Sequence, residues 1–219
     1  MEISWLGHSC FLIKAKEARI ITDPYSPEIG LNLPTGLRAD IVTVSHSHFD
    51  HNNATAISGQ EVGVAPKILT GPGEYEINGA EIIGVPSFHD DKKGAERGQN
   101  TIFVFHLEGM GIAHLGDLGH TLTDEELEKT NQVDILLIPA GGSYFPQISP
   151  KKASEVINQI DPRIIIPMHY QVFKEKIATK PIDDFVKEVG MNPETLDTFK
   201  INKAELPEEE RRLIVLNKK

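Results

Sequence analysis

The segment at residues 45–51, Ser-His-Ser-His-Phe-Asp-His, constrains this chain more than any other. It follows an apolar run at 41–44 that predicts a buried strand, and the chain then turns toward a short helix through Ala54 and Ala56. Four of its seven residues can bind a divalent metal: His46, His48, Asp50 and His51. Side chains two residues apart in an extended chain point to one side, so the first two histidines face together. Buried polar groups need partners, and this density of ligands therefore predicts a metal site and not a solvated polar loop.

Composition and charge restrict the class of protein. With 219 residues, 39% apolar and 25% charged, the chain is typical of a globular protein, and a single domain over residues 1–219 is expected. The net charge of −10 argues against nucleic acid or an anionic membrane as partner, since proteins that bind these carry a basic face. No apolar run approaches the ~20 residues of a membrane span. With a lone cysteine, Cys10, and no export pattern at its start, the chain is expected to be cytoplasmic.

The first part of the chain predicts a hairpin. Residues 3–13 and 18–22 alternate or run apolar, and the polar residues 14–17 join them. Gly7 interrupts the first of these strands, and a glycine there indicates a bulge or a close backbone approach. His8, beside that glycine, is therefore expected to be aimed at another group.

Start signals predict helices in the second half. Thr123 with Glu126 three residues later forms a capping box. Ser149 and Pro150 fit the N-cap and first position of another helix. The apolar run at 213–216 predicts a last strand, placed at the edge of a sheet.

Further ligand residues lie just beyond predicted strands. The runs at 41–44, 80–85, 111–115 and 163–166 lead into His46 and His48, His89, Asp117 and His169 respectively. Binding residues collect beyond the carboxyl ends of strands, because a rigid scaffold positions the loops there. The seven candidates, His46, His48, Asp50, His51, His89, Asp117 and His169, are too many for one tetrahedral site and suit two metals that share a bridging carboxylate. Ligands of this kind without thiolate suit zinc, manganese, iron or nickel.

Six motifs, in order along nearly the whole chain, resemble those of one superfamily. They are residues 6–10 (LGHSC), 22–24 (TDP), 46–51, His89, 115–117 (LGD) and 165–170 (IIPMHY). The chain resembles the metallo-β-lactamase-fold hydrolases, in the small branch similar to the ascorbate-6-phosphate lactonase family. The resemblance implies an α/β fold, an αβ/βα four-layer sandwich with the site at one edge of its two sheets. It also implies that His46, His48 and His89 hold one metal, Asp50, His51 and His169 the second, and that Asp117 bridges them.

The sequence also weighs against two other branches of this superfamily. A histidine at position 48, where the redox di-iron branch has glutamate, weighs against such a centre. The absence of cysteine at position 117, and of an export signal, weighs against an antibiotic-degrading lactamase. The expectation is a binuclear hydrolase with two divalent ions, zinc first, with manganese, nickel or iron as alternatives.

Two metals ~3.5–4 Å apart lower the pKa of a bridging water, which then attacks as hydroxide. Asp50 is predicted to orient this water as well as to bind metal. His8 has a structural alternative as a satisfied strand histidine; the Gly-His-Ser-Cys motif favours a role beside the metals as proton donor. Asp50 and His8 are therefore the predicted catalytic residues, and the predicted reaction is hydrolysis of an ester, lactone or phosphodiester bond in a small molecule.

Other residues near these motifs have weaker predicted roles. Asp23 is expected either to hydrogen-bond a ligand histidine or to cap a strand end. His106 and His114 fall within strands, which favours structural roles, whereas His120 is a candidate for the rim of the pocket. Tyr144 and Tyr170 are candidate substrate contacts.

The polar loop at residues 90–100 follows His89 and carries three cations, Lys92, Lys93 and Arg97. A solvated face is the ordinary interpretation of such a run. If the loop folds over the metals, it grips an anionic substrate instead.

Two alternatives stay open. One is a nuclease or phosphodiesterase acting on RNA or nucleotides, against which the acidic charge counts. The other is a metal-binding protein without turnover, against which the water-positioning Asp50 counts. Degradation of RNA would favour the first, and metal binding without hydrolysis would favour the second. The sequence specifies neither the substrate nor an oligomeric state.

Overall fold

Strands dominate the fold, as the apolar runs predict. The computed structural model describes residues 1–141, 148–172, 175–176 and 179–219. In chain order the strands are β1 (Glu2–Gly7), β2 (Cys10–Lys14), β3 (Arg19–Thr22), β4 (Arg38–Ala39), β5 (Ile41–Thr43), β6 (Ser58–Gly59), β7 (Lys67–Leu69), β8 (Gly73–Ile77), β9 (Ala80–Phe88), β10 (Gln99–Leu107), β11 (Met110–His114), β12 (Ile135–Pro139), β13 (Ile164–Met168), β14 (Pro193–Leu196), β15 (Phe199–Lys200) and β16 (Arg212–Leu216). The α-helices are α1 (Asp124–Lys129), α2 (Pro150–Ile160) and α3 (Asp183–Val189).

These strands form two large sheets. The first has six strands in the order β15-β1-β2-β3-β5-β7, and the second has eight in the order β14-β16-β13-β12-β11-β10-β9-β8. Strands β3, β5 and β7 run parallel in the first sheet, as do β11, β12, β13, β16 and β14 in the second. The carboxyl ends of parallel strands lie at a common edge of their sheet, which is where an α/β protein positions binding residues.

The first sheet is buried on both faces. Ile20 of β3 belongs to the core shared with the second sheet, where it joins residues such as Phe103. Its neighbour Ile21 packs on the opposite face with Tyr25 and Ile29. Successive strand residues point to opposite faces, so a strand that is covered on both sides is apolar at every position. This explains why β3 and β5 each contain two consecutive apolar residues, at 20–21 and 41–42.

Different layers cover the outer faces of the two sheets. Helices α2 and α3 contact each other, and α2 contacts β12 of the second sheet. On the first sheet the covering layer contains the 3₁₀ turns Pro27–Ile29 and Ala54–Ala56, whose Ile29 and Ala54 are buried against it. The predicted α/β sandwich is confirmed, with a layer of 3₁₀ turns over the first sheet.

Both predicted helix starts are confirmed. Thr123 accepts from the backbone N–H of Glu126, and the Glu126 side chain accepts in return from the N–H of Thr123. The Ser149 hydroxyl accepts from the N–H of Lys152 at the start of α2. Side-chain caps satisfy donors that have no partner within the helix.

Two predictions about strands were wrong. Residues 3–13 form two antiparallel strands, not one, because the chain reverses at His8 and Ser9, where His8 adopts a positive φ of 53°. Strand β16 is not an edge strand, because β14 pairs on its outer side. Most of β14 is exposed, so its sequence carries no apolar signal.

No helix in the described ranges is long and apolar enough to span a membrane.

Candidate metal centre

The predicted ligands meet at one edge of the sandwich. His46 and His48 follow β5 of the first sheet, whereas His89, Asp117 and His169 follow β9, β11 and β13 of the second. Two backbone hydrogen bonds join the sheets at this edge: the N–H of His169 donates to the His8 carbonyl at 3.0 Å, and the N–H of Thr101 donates to the Ser45 carbonyl at 2.9 Å. The packing of the two sheets therefore assembles the site.

His46, His48 and His89 form the first group of ligands. One ring nitrogen of each lies within 4.8 Å of the others. His46 and His89 are buried and His48 is half-buried, so the group opens to solvent on the His48 side. This is the set predicted to hold one metal.

The second group contains the other predicted ligands and one more. Asp50, His51 and His169 have ligand atoms within 4.8 Å of one another, and His8 belongs to the same group. His8 Nε2 lies 3.1 Å from His51 Nε2 and 3.3 Å from Asp50 Oδ2. Three histidines and one carboxylate thus converge on one point.

Asp117 lies between the two groups. Its Oδ2 atom is 3.0 Å from His89 Nε2 in the first group and 3.3 Å from His169 Nε2 in the second. Its Oδ1 atom is 3.4 Å from His51 Nε2. The carboxylate therefore touches both groups, as a bridging ligand must.

Asp23 and Ser45 fix which ring nitrogens face the site. The Ser45 hydroxyl donates to Asp23 Oδ2 at 2.5 Å, so it accepts from Nδ1–H of His46 at 2.9 Å. His51 Nδ1–H donates to the same Asp23 oxygen at 2.8 Å. In both neutral histidines the lone pair then lies on Nε2, the nitrogen that faces the other ligands.

The donor set and an orphaned atom fit a metal. His46 Nε2 is buried and has no hydrogen-bond partner within the described part of the chain. Buried polar atoms are normally paired, and one that is not calls for an explanation such as an ion. Imidazole nitrogen and carboxylate oxygen are ligands of zinc and of the other divalent metals considered above. The residues present therefore fit divalent metal ions.

Close backbone approaches hold the second sheet's ligands in place. A Cβ atom on Gly116 would lie 2.6 Å from Ser45 Cβ, and one on Gly119 would lie 2.5 Å from backbone atoms of His89 and Asp90. Both distances are shorter than real contacts, so each position requires glycine. The loop that carries Asp117 thus packs directly against the segments that carry the histidines.

Three residues of the site have strained backbones. His8, Asp23 and His169 adopt positive φ values of 53°, 37° and 56°. Such conformations are uncommon outside glycine and persist where the surroundings over-determine them, often at functional sites.

Charges within the site shift several pKa values when no metal is bound. Burial, and then the neighbouring His169, lowers the pKa of His8 to about 3. Burial would raise the pKa of Asp117, but His169 and His51 outweigh it and hold that pKa well below its usual range. Burial would lower the pKa of His51, but the charges and hydrogen bonds of Asp117 and Asp23 raise it well above its usual value. The metal-free site therefore holds a proton on His51.

This proton gives the metal-free protein an unusual pH dependence. Because the folded pKa of His51 is raised, its contribution to stability is complete below ~6.5, the unfolded pKa, and is lost as pH rises through the folded value. We expect the free energy of unfolding in chelator to fall above pH 6.5 by as much as ~1.4 kcal/mol per pH unit. Urea unfolding between pH 6 and 8.5 measures this slope. The slope should vanish in His51→Ala, and a flat wild-type profile would contradict the assignment.

Several residues flagged by the sequence have structural contacts. Nε2 of His114 lies 2.8 Å from the Ser9 carbonyl, which links β11 to the turn beside His8. His120 accepts from the N–H of Phe88 at 3.1 Å and so fixes the chain just before His89. Tyr170 is buried and stacks on Trp5 with ring centroids 4.8 Å apart, in place of the predicted contact with substrate.

The sequence also suggested roles for Asp23, His106 and Tyr144. The structure gives Asp23 the predicted hydrogen bond to a ligand histidine. His106 lies within β10, away from the ligands, as a structural role predicts. Tyr144 lies outside the described residues. Asn100 was not predicted from the sequence; it accepts from the Asp117 N–H at 3.0 Å and donates to the Leu115 carbonyl at 2.9 Å.

Asp90 organises the loop that follows His89. Its buried carboxylate accepts four backbone N–H groups at 2.7 to 3.0 Å, from Lys92, Gly94, Glu96 and Arg97. The ammonium of Lys92 pairs with Glu96. Burial, then the neighbouring His89 and the charge of Arg97, lowers the pKa of His48. These four hydrogen bonds fix the backbone of the loop from Lys92 to Arg97.

Comparison with known proteins decides the family. Residues 2–169 match the family described as Beta-lactamase superfamily domain. The chain belongs to the β-lactamase superfamily. A relative from Caldivirga maquilingensis, named UPF0173 metal-dependent hydrolase, is 30% identical over 79% of this chain and 83% of its own length. The chain described here therefore also belongs to the UPF0173 family of metal-dependent hydrolases.

Solved structures share the fold. A Thermotoga maritima protein of the metallo-β-lactamase superfamily is 36% identical, with a TM-score of 0.78 over 98% of this chain and 97% of that one. A metallo hydrolase from Ignicoccus hospitalis, 21% identical, has a TM-score of 0.60 over 86% of this chain and 90% of its own. The predicted metallo-β-lactamase fold is confirmed, whereas the finer likeness to the ascorbate-6-phosphate lactonase family stays a prediction.

Proposed function

We propose that this protein is a hydrolase that uses two divalent metal ions, zinc first, to cleave an ester, lactone or phosphodiester bond in a small molecule. One observation carries the proposal: Asp117 contacts both ligand groups, at 3.0 Å to His89 and 3.3 Å to His169. A carboxylate that touches two sets of ligands is suited to bridge two ions. The names of the relatives as metal-dependent hydrolases support the same reaction class.

Each group of residues has a role in holding the ions. His46, His48 and His89 would hold the first ion, and Asp50, His51 and His169 the second. When bound, such ions activate water as a nucleophile and polarise the bond to be cleaved. Asp23 keeps the lone pair of His51 on the nitrogen that faces the site, because its carboxylate accepts the proton on the other nitrogen.

Asp50 is the residue best suited to handle the proton of the attacking water. It is half-buried, and its Oδ2 atom faces the other ligands, 3.3 Å from His8 and 3.7 Å from His51, which leaves Oδ1 for the water. The second oxygen of a carboxylate that binds through one oxygen can accept a proton or orient a water. Phe49, the neighbour of Asp50 in the chain, is 48% exposed and offers an apolar surface to a substrate.

An anionic substrate fits the charges around the opening. The positive charge of Arg97 contributes to the lowered pKa of His48, and the Asp90 carboxylate accepts the backbone N–H of Arg97 at 2.7 Å. A guanidinium is suited to bind carboxylate or phosphate, because its paired N–H donors match the two oxygens of such a group. We therefore include a negatively charged group in the proposed substrate.

Metal content and turnover test this function together. The protein is purified without added metal, its ions per chain are counted, and activity is measured on an ester, a lactone, a phosphodiester and an RNA. Two ions with hydrolysis of a small substrate are expected. Degradation of RNA above background would favour a nuclease. One ion or none, with no turnover after reloading, would move the assignment to a metal-binding protein without catalysis.

A further inference from the structure

His8 lies where a ligand of the second ion would lie. Its Nε2 atom is 3.1 Å from His51 Nε2 and 3.3 Å from Asp50 Oδ2, and those two atoms are 3.7 Å apart. The centre of a triangle with these sides is ~2.0 Å from each corner, which is the length of a bond from zinc to imidazole nitrogen or carboxylate oxygen. An ion at bonding distance from Asp50 and His51 can therefore bond to His8 without any movement.

The alternative is that His8 donates a hydrogen bond to His51. Since Nδ1–H of His51 donates to Asp23, the ring has its lone pair on Nε2 once the extra proton of the metal-free site is lost, and that lone pair could accept from His8. That lone pair is also the one by which His51 binds metal. Once His51 is a ligand, it can no longer accept from His8, and the two nitrogens share the same ion.

We propose that His8 is a protein ligand of the second metal ion, with Asp50, His51 and His169, and not a proton donor. This inference rests on the proposed function, because it requires that the second ion binds. Five histidines and one aspartate are assigned above to a single ion each, and His8 would be a seventh such ligand. The second ion then has more protein ligands than the first. A donor set above four favours an ion with five or six ligands over tetrahedral zinc.

The backbone supports this role. His8 is 3% exposed, and its carbonyl accepts from Trp5 Nε1 at 2.8 Å and from the His169 N–H at 3.0 Å. These two bonds hold the residue at its positive φ of 53°. Because one of the donors is the backbone of His169, a single hydrogen bond sets the position of two ligands of one ion. Strain of this kind persists when the surrounding structure enforces it.

Metal binding by His8 variants tests the inference. Glycine and asparagine both tolerate positive φ, so His8→Gly and His8→Asn keep the turn while removing the imidazole. Ions per chain are counted after dialysis against zinc held at a series of free concentrations. We expect both variants to keep the first ion and to bind the second more than ~100-fold more weakly, beyond the 10–100-fold typical of losing a group that only orients a ligand. His106→Ala, which removes a histidine away from the site, should load like the wild type.

The outcomes separate this inference from the proposed function. In one outcome the wild type holds two ions, and the variants also hold both, with affinities within ~10-fold of the wild type, but turn over slowly. That result would overturn the ligand role of His8 and favour its role as a proton donor. A wild type with only one ion overturns both the inference and the binuclear function. If the variants lose both ions or fail to fold, the crystal structure of the zinc-loaded wild type decides. A distance of ~2.0–2.1 Å from His8 Nε2 to the second ion supports the role, and one above ~3 Å refutes it.

Discussion

Replacement of Asp117 by alanine is expected to abolish hydrolysis and to prevent loading of both metal positions, while the fold persists. The carboxylate contacts His89 in one ligand group and His51 and His169 in the other, so its loss removes a ligand and a negative charge from both. We expect kcat/KM to fall by more than ~100-fold, since even groups that only orient a metal ligand cost 10–100-fold.

Metal counting and circular dichroism check this prediction together. Far-UV spectra of Asp117→Ala should match the wild type, because the substitution leaves every side chain of the two apolar cores in place. Asp184→Ala, at an exposed position in α3, is the matched control and should load fully. Full metal stoichiometry in Asp117→Ala would refute the bridging assignment.

Replacement of Asp23 by asparagine is expected to weaken metal binding ~10–100-fold without removing a ligand. One Asp23 oxygen accepts from both the Ser45 hydroxyl and His51 Nδ1–H, at 2.5 and 2.8 Å. An amide N–H placed there faces two donors, so His51 has to move its proton to Nε2, the nitrogen that binds metal. The variant should therefore need more free metal for half-maximal activity.

A titration of activity against free zinc measures this change. Asp134→Asn is a suitable comparison, because Asp134, like Asp23, accepts a backbone N–H, that of Gly111 at 2.9 Å, outside the site. Asp134 is half-buried, whereas Asp23 is fully buried. Both variants are expected to lose stability, but only Asp23→Asn should lose metal affinity. An unchanged zinc requirement in Asp23→Asn would show that His51 does not depend on Asp23 for its protonation.

Much of the candidate site was predictable because its signals are local. His46, His48, Asp50 and His51 lie within six residues of one another, directly after a run that is apolar because its sheet is covered on both faces. The other ligands follow strands, and parallel strands end at a common edge. Residue type and position after a strand were therefore enough to predict a set of residues that the structure brings together.

The supporting residues were less predictable. Asn100 lies at the start of β10, seventeen residues before the Asp117 backbone that it supports, and nothing in its surrounding sequence indicates that contact. Ser45 lies within the metal-binding motif, but the role of its hydroxyl depends on a hydrogen bond to Asp23, which follows another strand. Hydrogen bonds between distant segments leave no periodicity in the sequence.

The sequence by itself determined the types of candidate ligand, which are histidine and aspartate without cysteine, and the strands that carry them. Only the tertiary structure decided how the ligands are grouped, that Asp117 touches both groups, and that His8 lies 3.1 Å from His51. These distances join residues 8, 51, 117 and 169, which lie on different strands and turns of two sheets. Strand patterns follow from local burial, whereas the separation of such residues follows from the packing of one sheet on the other.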